Sequence, residues 1–180
     1  TETGVTTFFL QHEIDTGDVI MQRRMPIGPD ETAGEVHDRM MELGAEVVLE
    51  TVTAIKNGTV TTSPQLDTEA SHAPKIFTET CKIDFNQPAK KVYDFIRGLS
   101  PYPGAWTELN GKVFKIFRCV PVCTSSEHAL GQGIFSTDEK NYIRIWATDG
   151  YIDLLEVQLE GKRRMAVKEL LNGHKNLFSL

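Results

Sequence analysis

Cysteine is scarce and odd in number: only Cys81, Cys119 and Cys123 among 180 residues. A closed disulfide framework needs pairs, so this count argues against a disulfide-stapled fold and fits reduced thiols in a cytoplasmic protein. Long apolar runs are missing too. No stretch approaches the roughly 20 apolar residues of a membrane span, and no basic, apolar leader opens the chain. Metal-ligand spacing is absent: Cys119-Val120-Pro121-Val122-Cys123 has no second thiol pair and no histidine pair to complete it, which argues against a metal site. Gly131-Gln132-Gly133 lacks the Gly-Lys-Ser/Thr ending of a phosphate loop. There is no Gly-x-Ser-x-Gly elbow either. These absences set aside zinc, P-loop and serine-nucleophile chemistry.

What remains is ordinary globular composition, with 40% hydrophobic and 24% charged residues. The net charge of −6 is unevenly spread. Residues 1–80 carry 5 basic against 14 acidic side chains, and residues 81–180 carry 14 against 11. An acidic half joined to a mildly basic half suggests two bodies with different partners.

Local patterns support that division. Residues 4–10 and 19–25 read as strands around the polar loop 11–18. Thr32-Ala33-Gly34-Glu35 is a capping box, and a helix to about Lys56 follows. Its apolar face is Val36, Met40, Leu43 and Val47, extended by Val48, Val52 and Ile55. Asn57-Gly58 stops it. Residues 59–80, rich in Thr, Ser and Pro, read as a linker. A short helix from Pro88 to Gly98 precedes Ser100-Pro101-Tyr102-Pro103-Gly104-Ala105-Trp106. Strands are then expected at 105–109, 112–119, 131–136, 142–147 and 151–159. Asn110-Gly111 and Asp149-Gly150 mark hairpins. Five short strands and a closing helix at 167–171 predict a small antiparallel, OB-like barrel.

Three features carry possible chemistry. Glu13, Asp15 and Asp18 share a loop with His12 and Gly17, where a carboxylate can orient an imidazole or take a proton. The same acids also fit a merely solvated loop. Lys162-Arg163-Arg164 can contact phosphates or simply protect a sheet edge. Tyr102 and Trp106 read either as a structural wedge between helix and barrel or, with Trp146, as base-stacking rings.

Taken together, the motifs resemble the methionyl-tRNA formyltransferase family along the whole chain. Thr3-Gly4-Val5-Thr6 leading to Ile14-Asp15-Thr16-Gly17-Asp18 is similar to the family's TGVT…LDTGD segment. Ala73-Pro74-Lys75 resembles its linker motif. Residues 100–106 resemble NPWPGAYT, and Gly161–Met165 with Leu170-Leu171-Asn172-Gly173 resembles GKKRM…LNG. The resemblance implies an α+β chain in three parts. Residues 1–58 would be the tail of a Rossmann-like formyltransferase domain, 59–80 a linker, and 81–180 the OB-like barrel. It implies formyl transfer from 10-formyltetrahydrofolate to methionyl initiator tRNA in the cytoplasm. Asp15 would be catalytic, and His12, Glu13, Ile14 and Asp15 would line the folate site. Lys75, Lys162, Arg163 and Arg164 would contact tRNA.

One departure matters. The family's Asn-x-His-x-Ser-Leu-Leu-Pro segment has no counterpart here: Asn172-Gly173-His174 has the Asn-x-His spacing but lies at the other end of the chain and is not followed by Ser-Leu-Leu-Pro. With a strand beginning almost at Thr1, the chain reads as the C-terminal part of a longer protein, inactive alone. Its helix face, deprived of a sheet, is expected to drive self-association. Two other classes stay open: a fragment of an amino-sugar nucleotide formyltransferase, and a non-catalytic nucleic-acid-binding module.

Overall fold

The computed structural model describes residues 2–66, 68, 70–124, 131–174 and 177–178. Expectations touching Thr1, two linker positions, residues 125–130 (with His128) and the last few residues lie outside that set. The chain divides into two compact units, Thr1–Lys75 and Ile76–Leu180.

In the first unit, β1 (Glu2–Phe8) pairs antiparallel with β2 (Val19–Pro26), from Glu2↔Pro26 to Phe8↔Val19. The helix α1 (Ala33–Lys56) begins at the expected box. The Glu35 amide donates to Thr32 Oγ1 at 3.3 Å, and the Thr32 amide donates to the Glu35 carboxylate at 2.8 Å. Two of the amides that a helix start leaves open are thereby satisfied. Just upstream, the Gly28 amide and the Arg39 guanidinium donate to Glu31, which holds its carboxyl below the usual range. Val47 is fully buried, and Thr51 Oγ1 lies 2.8 Å from Thr7 Oγ1 of β1.

The apolar face of α1 differs from the expected one. Val36, Met40, Leu43 and Val47 turn inward to varying depth. Val48, Val52 and Ile55 do not: they are exposed together with Met41 and Leu49. At 100° per residue, positions 41, 45, 48, 52 and 55 form a second stripe about 130° from the first. The helix thus carries two apolar faces, one of which meets the hairpin.

In the second unit, α2 (Ala89–Leu99) buries Ala89, Val92, Tyr93, Ile96 and Leu99. The sheet runs β3 (Ala105–Leu109), β4 (Lys112–Cys123), β7 (Gly150–Leu159), β6 (Ile143–Trp146) and β5 (Phe135–Thr137) in spatial order. β8 (Met165–Ala166) also pairs with β7, and α3 (Val167–Gly173) closes the unit. Among the described residues the expected five strands are therefore six. The sixth is only two residues long, too short to leave a periodic signal. The strand expected at 131–136 shrinks to 135–137 because Gly131 and Gly133 both take positive φ.

Asn110 and Gly111, at φ 51° and 73°, turn β3 into β4 as a primed hairpin turn requires. Asp149, between β6 and β7, caps α2: its carboxylate accepts the Ala89 amide at 2.7 Å. Phe114, Ile116, Ile143, Ile145, Ile152 and Val157 are wholly buried in the common core. Cys119 shares that core, and burial pushes its thiol up to about 12, so it is inert near neutrality.

Candidate functional site: the loop 9–18

The loop between β1 and β2 is built on close backbone approach. The Phe9 amide donates to the Asp18 carbonyl at 3.1 Å, closing its neck. Gly17 is buried there. A Cβ on Gly17 would lie 1.6 Å from the Phe9 carbonyl oxygen, so only glycine fits. Thr16 Oγ1 donates to the Glu13 carbonyl at 3.0 Å. Asp15 stands at φ 60°, left-handed backbone that Asp tolerates better than most residues.

A residue from the expected linker holds this conformation. Gln65 Nε2 donates to the Asp15 carbonyl at 2.7 Å and to the Gly17 carbonyl at 2.8 Å. Val19 and Ser63 exchange both main-chain hydrogen bonds, at 2.8 and 2.9 Å, which delivers Gln65 to the loop. Sequence reasoning missed Gln65. Its bonds reach back 50 and 48 residues, and neither composition nor period encodes such a contact.

We expect Gln65→Ala to loosen the loop, costing about 1–2 kcal/mol of local stability. Gln65→Glu should cost more, because a carboxylate would face two carbonyl oxygens with no proton to donate. Amide exchange at Phe9 reads both, as faster exchange in the order wild type, Ala, Glu.

The structure keeps His12, Glu13, Ile14 and Asp15 together on this loop, and all four are exposed. Among the described residues no hydrogen bond joins His12 to Asp15. Among the described residues, none of the amides of His12, Glu13 and Ile14 donates to another main-chain group. Leu10 and Ile14 are about nine-tenths exposed beside them. Amides with no main-chain acceptor beside bare apolar side chains can meet the hydrogen-bonding edge of a flat ligand.

The basic run Lys162–Arg164 lies in the second unit and is not uniformly free. Arg163 pairs with Glu169 at 2.9 Å and Arg164 with Glu156 at 2.5 Å. Arg164 also stacks on buried Phe117, 4.4 Å from the ring centre, which makes it a clamp between β8 and β7. Lys162 is exposed, as is Lys75 at the end of the first unit. The aromatic pair separates as well. Trp106 Nε1 donates to the Thr78 carbonyl at 2.8 Å and is structural, whereas Tyr102 is 86% exposed and wedges nothing. Among the described residues no group of three His, Cys, Asp or Glu is placed to hold a metal, and no helix is long and apolar enough to cross a membrane.

Residues 75–175 match the family model for the formyl transferase C-terminal domain, and residues 1–52 match that for formyl transferase. Similar relatives include methionyl-tRNA formyltransferases of Bacteroides thetaiotaomicron and Phocaeicola vulgatus. The first is 52% identical over 184 residues and the second 50% over 185. Each alignment takes in 97% of this chain but 56% of the relative, so the chain spans about half the length of the curated proteins it matches. Among solved structures, Aquifex aeolicus HypX in complex with tetrahydrofolic acid shares the fold. Its TM-score is 0.71 at 23% identity, covering 99% of this chain and 31% of that one.

Proposed function

This chain belongs to the formyl transferase family, and from that premise we propose that it is part of a methionyl-tRNA formyltransferase. The reaction is transfer of a formyl group from 10-formyltetrahydrofolate to the amino group of methionyl initiator tRNA, in the cytoplasm. The observation that carries this reading is 52% identity, across 97% of the chain, to a relative of that name. Residues 1–58 are then the end of the formyltransferase domain, 59–80 the linker, and 81–180 an OB-like domain. An antiparallel sheet capped by α2 and α3 supports the last assignment.

In this reading the folate donor supplies the activated formyl carbon. The main chain of His12–Asp15 lines its pterin, with Leu10 and Ile14 giving apolar cover. The Asp15 carboxylate, kept exposed by the left-handed turn that Gln65 fixes, accepts a hydrogen bond or proton as the amine attacks. Its imidazole partner is supplied by sequence this chain lacks, so the 180 residues alone do not transfer formyl. Lys75 and Lys162 contact phosphates. Arg163 joins them at little cost, because an exposed ion pair such as Arg163–Glu169 is worth only about 0–1 kcal/mol. Arg164 contributes by holding that strand end in place.

The test is acceptor choice by the protein extended to its relatives' length. Formylation of methionyl-tRNA, and not of a nucleotide-linked amino sugar, is the expected result. The reverse preference would replace the tRNA reading with the amino-sugar one.

A further inference from the structure

The second unit has a cavity of about 310 Å³ that the folate loop does not use. Its walls include Thr78, Tyr102, Pro103, Trp106, Val113 and Lys115, with no carboxylate among the described lining residues. The volume sits near the lower end of the ~300–1,000 Å³ that holds small ligands, which suits one nucleoside better than a longer unit.

Two aromatic rings meet at this cavity in different states. The Trp106 indole is fixed, its N–H spent on the Thr78 carbonyl. Tyr102 stands open to solvent, an exposed ring with no packing role among the described residues. Gly104 sets the corner between them. At φ 86° its amide donates to the Leu99 carbonyl at 2.9 Å, and an added Cβ would crowd buried Phe117 at 3.1 Å. Lys115 Nζ donates to the Pro103 carbonyl at 3.0 Å, which leaves two of its three N–H groups to offer an anion. Lys82 Nζ lies 5.1 Å from the Trp106 ring centre, but Glu108 neutralises it at 2.7 Å. Lys115 is thus the cation of the cavity itself.

We propose that this cavity takes one base of the RNA substrate, stacked against Tyr102 and Trp106, with an adjoining phosphate on Lys115. The assignment rests on the tRNA reading above and deepens it. The fixed indole and the carboxylate-free wall favour a planar heterocycle carrying negative charge over an aliphatic side chain, which would gain nothing from Lys115. Stacking would tolerate any base, so the cavity adds affinity and registers the strand without reading sequence.

The experiment uses the 180-residue chain, initiator tRNA and a five-nucleotide oligoadenylate. In amide NMR the oligonucleotide should shift Tyr102, Gly104, Trp106 and Val113. Tyr102→Ala should weaken both RNAs about tenfold, the loss typical of one stacked base. Tyr102→Phe should stay within about twofold, since the ring is kept. Lys115→Met should weaken binding and flatten the salt dependence by about one counterion. Tyr102 is solvent-exposed, so its truncation leaves the core intact. If tRNA binds the parent but Tyr102→Ala binds equally well, or if the shifts fall elsewhere, the cavity assignment is overturned and the tRNA reading survives. If the parent binds no tRNA, RNA binding by this chain fails, and the cavity assignment fails with it.

Discussion

Gly17→Ala is expected to dismantle the loop 9–18 and to cost the first unit about 3 kcal/mol or more, at or above the upper end of ordinary overpacking. The added methyl would lie 1.6 Å from the Phe9 carbonyl oxygen and 2.8 Å from its carbon. Real Cβ contacts do not go below about 3.0 Å, and these are backbone atoms, which cannot swing aside as a side chain does. Phe9 is also tied to Asp18, so relief must open the neck of the loop. Loss of Phe9 and Val19 amide protection, with loss of folate binding in the full-length protein, is the expected readout. Gly44→Ala is the control of opposite sign. Its nearest neighbour would be Val5 Cγ1 at an ordinary 3.9 Å, and alanine in mid-helix is worth up to about 1 kcal/mol of added stability. Equal effects of the two substitutions would contradict this picture of the loop.

The second large effect concerns the outward stripe of α1. Met41, Val48, Val52 and Ile55 are each roughly half exposed or more, and exposed Leu49 flanks them. Covering each is worth about 1 kcal/mol. From Met41 to Ile55 the stripe is about 21 Å long, and an antiparallel pair would set Met41 of one copy near Ile55 of the other. Such a contact is two-fold symmetric and closes on itself. We propose that the 180-residue chain dimerises through this face. Light scattering should give twice the chain mass at micromolar concentration. Val48→Glu with Val52→Lys should return the monomer and leave the fold intact, because neither side chain is buried in the single chain. A monomeric parent would refute the proposal.

Much of the fold was legible in the sequence, for local reasons. Thr32 and Glu35 close a box within one turn, Asn110-Gly111 fixes a hairpin, and Val92, Ile96 and Leu99 repeat at helical spacing. Each is a short-range rule. Legibility failed where contacts span distance. Val48, Val52 and Ile55 stand on a stripe of their own, about 130° from that of Val47, which helix geometry alone separates; which of the two stripes the hairpin covers is decided by contacts far along the chain. Arg164 reads as one of three free cations until β8 folds onto β7 and brings it to Glu156 and Phe117. Tyr102 and Trp106 look alike in the chain, yet one is bonded in and the other bare.

The candidate site was less legible still. Nothing in the charge of Glu13, Asp15 and Asp18 distinguishes a catalytic acid from a solvated one, and Asp15 was singled out by resemblance alone. The geometry adds a physical reason to look there: a left-handed turn with a glycine neck, held by a glutamine far along the chain.

The most direct measurement of the central claim is a formyl-transfer assay on three proteins: the 180-residue chain, the protein extended upstream to its relatives' length, and that longer protein with Asp15→Asn. Loss of a positioned acid or base costs about 10²–10⁴-fold in rate. The account predicts background transfer from the short chain, full transfer from the long one, and a hundredfold or greater loss with Asp15→Asn. Transfer by the 180 residues alone, or undiminished turnover in the Asp15→Asn protein, would contradict it.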